Sequence, residues 1–342
     1  ESIAGFAELK FQLSDATRLT LGGRLTYEKI DFNSRRNVTV FLGSPPTPAP
    51  FTVVVAAPPD LIISPTQVGT TPTWRVILDH RVSDDVLLYA SYNRGTKSGA
   101  FNSTNIADEE LLPEQVDAFE AGFKATTLDS RVRINGSGYY YSYGNYQVLS
   151  LLNAQLDFNN AGAEIYGAEL ELEAAVTENF RINAGVGWIH ATFTNFPGGT
   201  LAAPMLPGGT VTAPLPFPPG GNTIIEGVSL TGNRLTSAPD FTAILGANYT
   251  VPAFGGKLVF DASIYYNDGY FTEADNRNRQ PAYERLTASV AWTDASEHVT
   301  VRLWGKNLTD SAIANVINAT EFLTAVTYQP PRTYGVELGF KF

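Results

Sequence analysis

Three glutamates at every second position form the most regular set of chemically capable side chains in the chain. They are Glu169, Glu171 and Glu173. In an extended strand this spacing puts all three carboxylates on one face, where they could act as paired acids or bind a cation. The positions between them are apolar. We interpret the glutamates as the charged wall of a water-filled interior, partly paired with Arg181 on the next strand.

The other residues that could carry chemistry lack the companions that such chemistry needs. His80, His190 and His298 are far apart in the sequence and have no carboxylates at metal-ligand spacing. Lys97-Ser98-Gly99 is similar to an element of penicillin-recognising enzymes, but the two partner motifs of that site are missing. There is no cysteine for a thiol nucleophile or a metal. We therefore expect no enzyme activity, no metal site and no cofactor.

Charge and hydropathy narrow the class of protein further. The 342 residues carry a formal charge of −11, which argues against a nucleic-acid partner. No stretch approaches the roughly 18 consecutive apolar residues that a membrane helix needs. A transmembrane strand needs only about 9–11 residues, half of them polar, so a membrane sheet keeps the mean hydropathy near zero. The observed mean hydropathy is −0.07.

The strand that closes the sequence shows the pattern on which the fold prediction depends. Its large apolar side chains fall on one face, and small or charged residues alternate with them. The apolar residues are Tyr334, Val336, Leu338, Phe340 and Phe342. A soluble β-sandwich could show the same alternation. Because the pattern recurs in almost every upstream segment, we favour a barrel whose apolar face meets lipid and whose polar face lines a wet interior.

The connections between strands alternate in length. About thirteen alternating segments are joined by tight turns near residues 15, 84, 130, 178, 255 and 296 and by longer loops. The longest loops are predicted at 31–72 and 195–236, where prolines and glycines resist regular structure. Short turns on one side and long loops on the other are typical of outer-membrane barrels. The sequence therefore predicts an all-β fold, a transmembrane antiparallel β-barrel.

Several stretches resemble the C-terminal part of the barrel of a TonB-dependent outer-membrane receptor. The clearest are residues 305–310 (Gly-Lys-Asn-Leu-Thr-Asp) and 330–335 (Pro-Pro-Arg-Thr-Tyr-Gly), followed by the terminal Phe342. Residues 89–102, 114–124 and 163–171 continue the resemblance upstream, so that it spans nearly the whole chain. Thr96 and Ala100 depart from the residues usual in the family.

The resemblance carries expectations about the whole receptor. Barrels of this class have 22 strands and a plugged lumen. We expect residues 1–342 to be the C-terminal portion, about the last 13 strands, with the N-terminal plug domain absent. The implied partners are outer-membrane lipid, the TonB-ExbB-ExbD system acting through the missing plug, and the barrel assembly machinery, which would bind the C-terminal strand. The implied location is the outer membrane of a bacterial cell.

The function implied by the resemblance is active uptake of a scarce nutrient, most often a ferric siderophore. Residues expected to contact the ligand are polar and aromatic ones in loops and on the upper wall: Asn93, Arg94, Lys97, Tyr143, Tyr146, Tyr270 and Arg277. A passive porin-like channel is the alternative function. A soluble β-rich adhesin is a third reading, which extraction from membranes without detergent would favour.

The lengths of the connections predict their sides of the membrane. The tight turns should face the periplasm and the loops at 31–72 and 195–236 the cell exterior. A cysteine introduced at Gly209 should therefore react with an impermeant thiol reagent in intact cells, whereas one at Ser296 should not. The reverse labelling pattern would show that the topology is inverted.

Overall fold

The computed structural model describes residues 1–36, 61–102, 110–152, 155–204, 222–320 and 323–342. Residues 37–60 and 205–221, which include Gly209 and much of the two longest predicted loops, lie outside the described part of the chain. In the ranges given, the regular structure consists of β-strands. No helix in those ranges is long and apolar enough to cross a membrane.

Nineteen strands follow one another along the described chain. They are β1 (Ser2–Ser14), β2 (Thr17–Asp31), β3 (Ser34–Arg36), β4 (Leu61–Ile63), β5 (Thr66–Ser83), β6 (Val86–Lys97), β7 (Glu114–Thr127), β8 (Val132–Leu152), β9 (Gln155–Ala175), β10 (Phe180–Asn195), β11 (Gly199–Pro204), β12 (Asn222–Val228), β13 (Phe241–Ala253), β14 (Gly256–Phe271), β15 (Arg279–Asp294), β16 (Val299–Lys306), β17 (Ala314–Ala319), β18 (Thr324–Tyr328) and β19 (Thr333–Phe340).

Thirteen of these strands form one antiparallel sheet, which confirms the predicted fold class. Its order is β1-β2-β5-β6-β7-β8-β9-β10-β13-β14-β15-β16-β19, so each strand pairs with the next long strand of the chain. The tight turns fall at 15–16, 84–85, 128–131, 176–179, 254–255 and 295–298, where the sequence predicted them. The sheet ends at β1 on one side and β19 on the other.

The register puts apolar side chains of successive strands on one face. One row crosses eight strands and consists of Leu9, Leu21, Val76, Tyr92, Phe119, Tyr140, Tyr166 and His190. Within it the rings of Tyr92 and Phe119 stack with centroids 4.6 Å apart. Many side chains on this face are exposed, Leu170 at 45% and Leu245 at 52% among them. An exposed apolar surface of this extent is suited to contact with lipid.

Charged side chains on the opposite face pair across strands. Arg75 of β5 pairs with Glu8 of β1. Arg133 Nη1 of β8 lies 3.1 Å from Glu173 Oε2 of β9. The expected pairing of the glutamate row with Arg181 is thus wrong for Glu173. The register sets Arg181 opposite Ala175, too far along β10, while Arg133 lies directly opposite Glu173.

Tyrosine side chains on the polar face lie over glycines of the neighbouring strand. A Cβ at Gly122 would lie 2.7 Å from the Tyr89 hydroxyl oxygen, and one at Gly167 would lie 2.8 Å from that of Tyr139. Only glycine leaves room for this approach. Tyr89 then donates a hydrogen bond of 2.6 Å to Glu120 Oε1. The ring and the carboxylate together fix the register of β6 against β7.

The long connections contain more regular structure than the sequence predicted. The expected loop at 31–72 is wrong at its downstream boundary, because β5 begins at Thr66 and Pro72 lies in register with Leu25. The expected loop at 195–236 contains the hairpin β11–β12, and the connection before β19 contains β17–β18. Both hairpins are short, and β11–β12 is also rich in Gly, Pro and Ala, so their period-two signal is weak.

The two faces should respond differently to a buried charge. Arginine in place of Leu245, on the apolar face, should destabilise the barrel by about 2–4 kcal/mol if that face lies against lipid. Arginine in place of Thr242 on the same strand should have only a mild effect on stability, because Glu169 is close to that position on the polar face. Folding into lipid vesicles, followed by urea titration of both variants, measures the difference. Equal costs would show that the faces are assigned the wrong way round.

Candidate functional site

The segment that follows β12 folds back onto the end of β10 that leads into the long connection, which we call the upper end of the strand. We call residues 229–240 the cap. Leu235 N donates to Ala191 O at 3.0 Å, Gly232 N to Phe193 O at 2.7 Å, and Leu230 N to Phe196 O at 2.8 Å. Lower down the same edge of β10 is paired by β13. The cap therefore continues the hydrogen-bond ladder beyond Phe241, where the pairing of β10 with β13 stops. No further strand is needed to satisfy the backbone of this part of β10.

An apolar cluster fixes the cap to the polar face of the sheet. Phe193 and Phe196 are each only 2% exposed, and Leu230 and Leu235 are 3% exposed. The remaining buried members are Val148, Ala161, Ala163, Ala191 and Ala274. Ala163 shares a face with the glutamates of the same strand because it lies six positions before Glu169, and Ala191 shares that face because the register sets it opposite Ile165. The wall thus changes from charged to apolar at the long-loop end.

Hydrogen bonds from the connection at 272–278 fasten three other segments together. Glu273 Oε1 accepts from Ala319 N of β17 at 2.8 Å, and Oε2 accepts from Asn278 Nδ2 at 2.5 Å. Asp275 Oδ2 accepts from Ala202 N of β11 at 3.0 Å. Asn233 of the cap donates to Ala274 O at 2.9 Å. Burial raises the pKa of Glu273, and its two donors partly offset that effect.

A cavity of about 480 Å³ lies between these segments. Its walls come from the upper end of β8, the hairpins β11–β12 and β17–β18, the cap and the connection at 272–278. Tyr146 and Phe193 supply aromatic surface, Gln147 and Asn318 supply amides, and Asp275 supplies a carboxylate. This combination of apolar surface with a few polar groups is typical of a site for a small molecule.

The structure brings only some of the predicted ligand residues to this cavity. Tyr143 and Tyr146 pack edge to face with ring centroids 5.4 Å apart, and Tyr146 lines the cavity. Arg277 adjoins it, since its backbone N donates to Asp275 Oδ1 at 3.1 Å, while its side chain is exposed. Tyr270 lies at the end of β14, opposite Gln280. The ligand roles of these residues stay predictions.

The other predicted ligand residues lie two strands away on β6. Asn93 donates from Nδ2 to Ser91 Oγ at 3.1 Å on the polar face, and Lys97 lies opposite Glu114. Near them a second cavity of about 610 Å³ is lined by Ser98 and Glu110 among others. The seven predicted residues are thus divided between two regions of the wall, and β7 separates β6 from β8.

Arg94 lies on the opposite face from Asn93. Its guanidinium carbon is 4.8 Å from the centre of the Trp74 ring, and its Nε donates to Asp117 Oδ1 at 2.8 Å. Tyr92 donates to the same carboxylate oxygen at 2.8 Å. These partners account for the charge of Arg94 at the upper end of the apolar face. A ligand role for Arg94 stays a prediction.

Sequence reasoning missed the residues that build the cap and the cavity. Phe193 lies near the end of β10 and Phe196 follows that strand, just before Pro197-Gly198-Gly199, and a pair of aromatics before a proline is the only local sign of them. Glu273 and Asp275 gave no signal, because their partners are 46 and 73 residues away. In the described ranges, no group of three or more His, Cys, Asp or Glu residues could hold a metal ion.

Comparison with known proteins gives one family and several similar folds. Residues 1–308 match the family model described as TonB dependent receptor-like, beta-barrel. Among solved structures, the ferric yersiniabactin uptake receptor FyuA from Yersinia pestis has a TM-score of 0.78 at 16% identity, and the match covers 100% of this chain and 45% of FyuA.

Two further structures give the same result. The siderophore receptor PiuA from Acinetobacter baumannii has a TM-score of 0.69 at 18% identity, covering 100% of this chain and 43% of PiuA. The ferric-catecholate import receptor Fiu from E. coli K12, in its closed form, has a TM-score of 0.67 at 16% identity, covering 100% and 44%. This chain therefore spans less than half the length of the structures that it matches. At these identities the likeness shows the fold.

The role of Glu273 in holding β17 against the connection at 272–278 can be tested by removing its carboxylate. Glu273→Ala leaves the Ala319 amide and Asn278 without their acceptor, at a cost of about 1–3 kcal/mol for the buried donors. Hydrogen exchange at residues 314–319 should accelerate, because the connection at 272–278 no longer holds β17. Glu226→Ala, which removes an exposed carboxylate of β12, serves as the control. Equal acceleration in both variants would contradict the role of Glu273.

Proposed function

This chain belongs to the TonB-dependent receptor-like β-barrel family, and from that membership we propose that it forms part of an outer-membrane receptor for active uptake of a ferric siderophore. The family match over residues 1–308 carries the proposal. The family is one of receptors rather than enzymes. FyuA, PiuA and Fiu, whose names each describe a siderophore or ferric-complex receptor, support iron-complex uptake as the specific activity.

The two ends of the sheet support a proposal about the whole receptor. In lipid, unpaired backbone N–H and C=O groups are costly, so an open sheet edge does not persist there. We propose that residues 1–342 are the C-terminal portion of a 22-stranded barrel, in which β1 and β19 each pair with a strand outside this chain. The lumen of such a barrel is plugged. The plug would couple ligand release to TonB, ExbB and ExbD.

The apolar face and the last strand support the other proposed partners. The row from Leu9 to Tyr166 would lie against outer-membrane lipid. On β19, Tyr334 is 79% exposed, and Val336, Leu338 and Phe340 are 65%, 63% and 63% exposed. Together with Phe342 they would present the apolar surface that the barrel assembly machinery binds. The alternating pattern of the last strand predicts the same partner.

The cavity beneath the cap supports a ligand-capturing role for the long-loop end. It is large enough for part of a siderophore, and Tyr146 offers a ring and a hydroxyl for contact. The fastened connections hold the cavity walls in place before a ligand arrives, which lowers the entropy cost of binding.

Uptake of iron by cells that carry the complete receptor tests the proposal. With ferric siderophores as the sole iron source, growth and accumulation of radioactive iron should depend on the receptor and should cease when TonB is deleted. Uptake that continues without TonB and rises linearly with concentration would instead identify a passive channel. Tyr146→Ala should raise the half-saturating ligand concentration. Tyr140→Ala, on the opposite face of the same strand, should leave that concentration unchanged.

A further inference from the structure

The cavity beneath the cap has a one-sided charge. Its described lining includes the carboxylates of Glu273 and Asp275 and contains no Lys, Arg or His. Each of the four carboxylate oxygens has one neutral N–H donor: Ala319 N, Asn278 Nδ2, Ala202 N and Arg277 N. An ionised carboxylate oxygen can accept about two hydrogen bonds, so both groups keep acceptor capacity. Neither negative charge is neutralised by a cation in the described lining.

The long connections between the strands are also acidic in sequence. The connections at 32–65, 98–113, 153–154, 196–240, 272–278 and 307–332 contain ten acidic residues, five arginines and no lysine or histidine. Ten negative and five positive charges leave a net charge of −5. Two of the arginines are already paired, Arg234 with Asp240 and Arg332 with Asp310. A net negative charge favours ligands of the opposite charge over those of like charge.

Ferric chelates differ in charge according to their iron-binding groups. Three hydroxamates, each with one negative charge, neutralise Fe³⁺, so a ferric trihydroxamate with a free ammonium group is a monocation. Three doubly charged catecholates leave a trianion. Bringing a trianion beside Asp275 would place like charges together, with no base among the described residues of the cavity lining to compensate them, whereas an ammonium group would find an acceptor there.

We propose that the cavity beneath the cap is a recognition subsite for a ferric chelate of positive charge, of the trihydroxamate type with a pendant ammonium group, and that it excludes polyanionic ferric catecholates. The ammonium group donates to the Asp275 carboxylate, and the chelate body packs against Tyr146. The assignment rests on the function proposed above and specifies its substrate class.

Three chelates of graded charge test the subsite on the complete receptor purified in detergent. The probes are a linear ferric trihydroxamate with a terminal ammonium, the same compound with that amine acetylated, and a ferric tris-catecholate. Their charges are 1+, 0 and 3−. Affinity should decrease in that order, and only the monocation should bind more weakly as salt is added. A tris-catecholate that binds most tightly would overturn the subsite proposal.

Two variants and a control test whether the charge preference arises in the cavity. Asp275→Asn keeps the side-chain shape and should weaken binding of the monocation by about fivefold, while the acetylated chelate should be unaffected. Glu226→Lys, an exposed change on β12, should weaken the monocation in the same selective way. Glu178→Lys, in the short turn after β9, serves as the control and should have no effect. Equal effects from all three variants would contradict a charge-selective cavity.

The same measurements separate failure of the subsite from failure of the proposed function. If the tris-catecholate binds and enters cells in a TonB-dependent way, the receptor takes up iron and only the charge assignment is wrong. If no ferric chelate of any charge binds, both the subsite and siderophore uptake are overturned.

Discussion

The structure depends above all on the hydrogen-bond ladder that joins thirteen antiparallel strands. A sheet proposed to lie in lipid has no water with which to satisfy its backbone, so each N–H and C=O must find its partner in a neighbouring strand. This requirement is met where the long strands pair in chain order. Where the pairing of β10 with β13 stops, the cap supplies the hydrogen bonds along the same edge of β10. The requirement also makes β1 and β19 the two places where the proposed receptor must supply further strands.

The ladder in turn sorts the side chains. Because successive residues alternate between faces, one register decides the environment of every side chain in a strand. Apolar rings and aliphatic chains share one face, as at Tyr92 and Phe119, and acids and bases pair on the other, as at Arg133 and Glu173. The Tyr–Gly contacts lie on the polar face. There a ring covers a glycine while its hydroxyl reaches a glutamate, so that packing and polar satisfaction support the same register.

The side-chain contacts at the long-loop end differ from those along the wall. Its apolar cluster is covered by the cap, and its carboxylates hold other loops through neutral N–H groups rather than through bases. Carboxylates held in this way fix the positions of the loops that donate to them. A cavity with such walls combines a preformed shape with a charge preference, and both properties bear on which iron complex the proposed receptor would take.

The sequence alone determined the features that depend on local constraints. Period-two alternation, the tight turns near residues 15, 84, 130, 178, 255 and 296, the strand count and the closing strand all follow from patterns within about twenty residues. Only the tertiary structure decided which acid meets which base, because Arg133 and Arg181 both flank the strand of Glu173. Tertiary structure alone likewise placed Phe193 beneath the cap and Glu273 against Ala319, since contacts across 40 or more residues leave no periodic trace in the sequence.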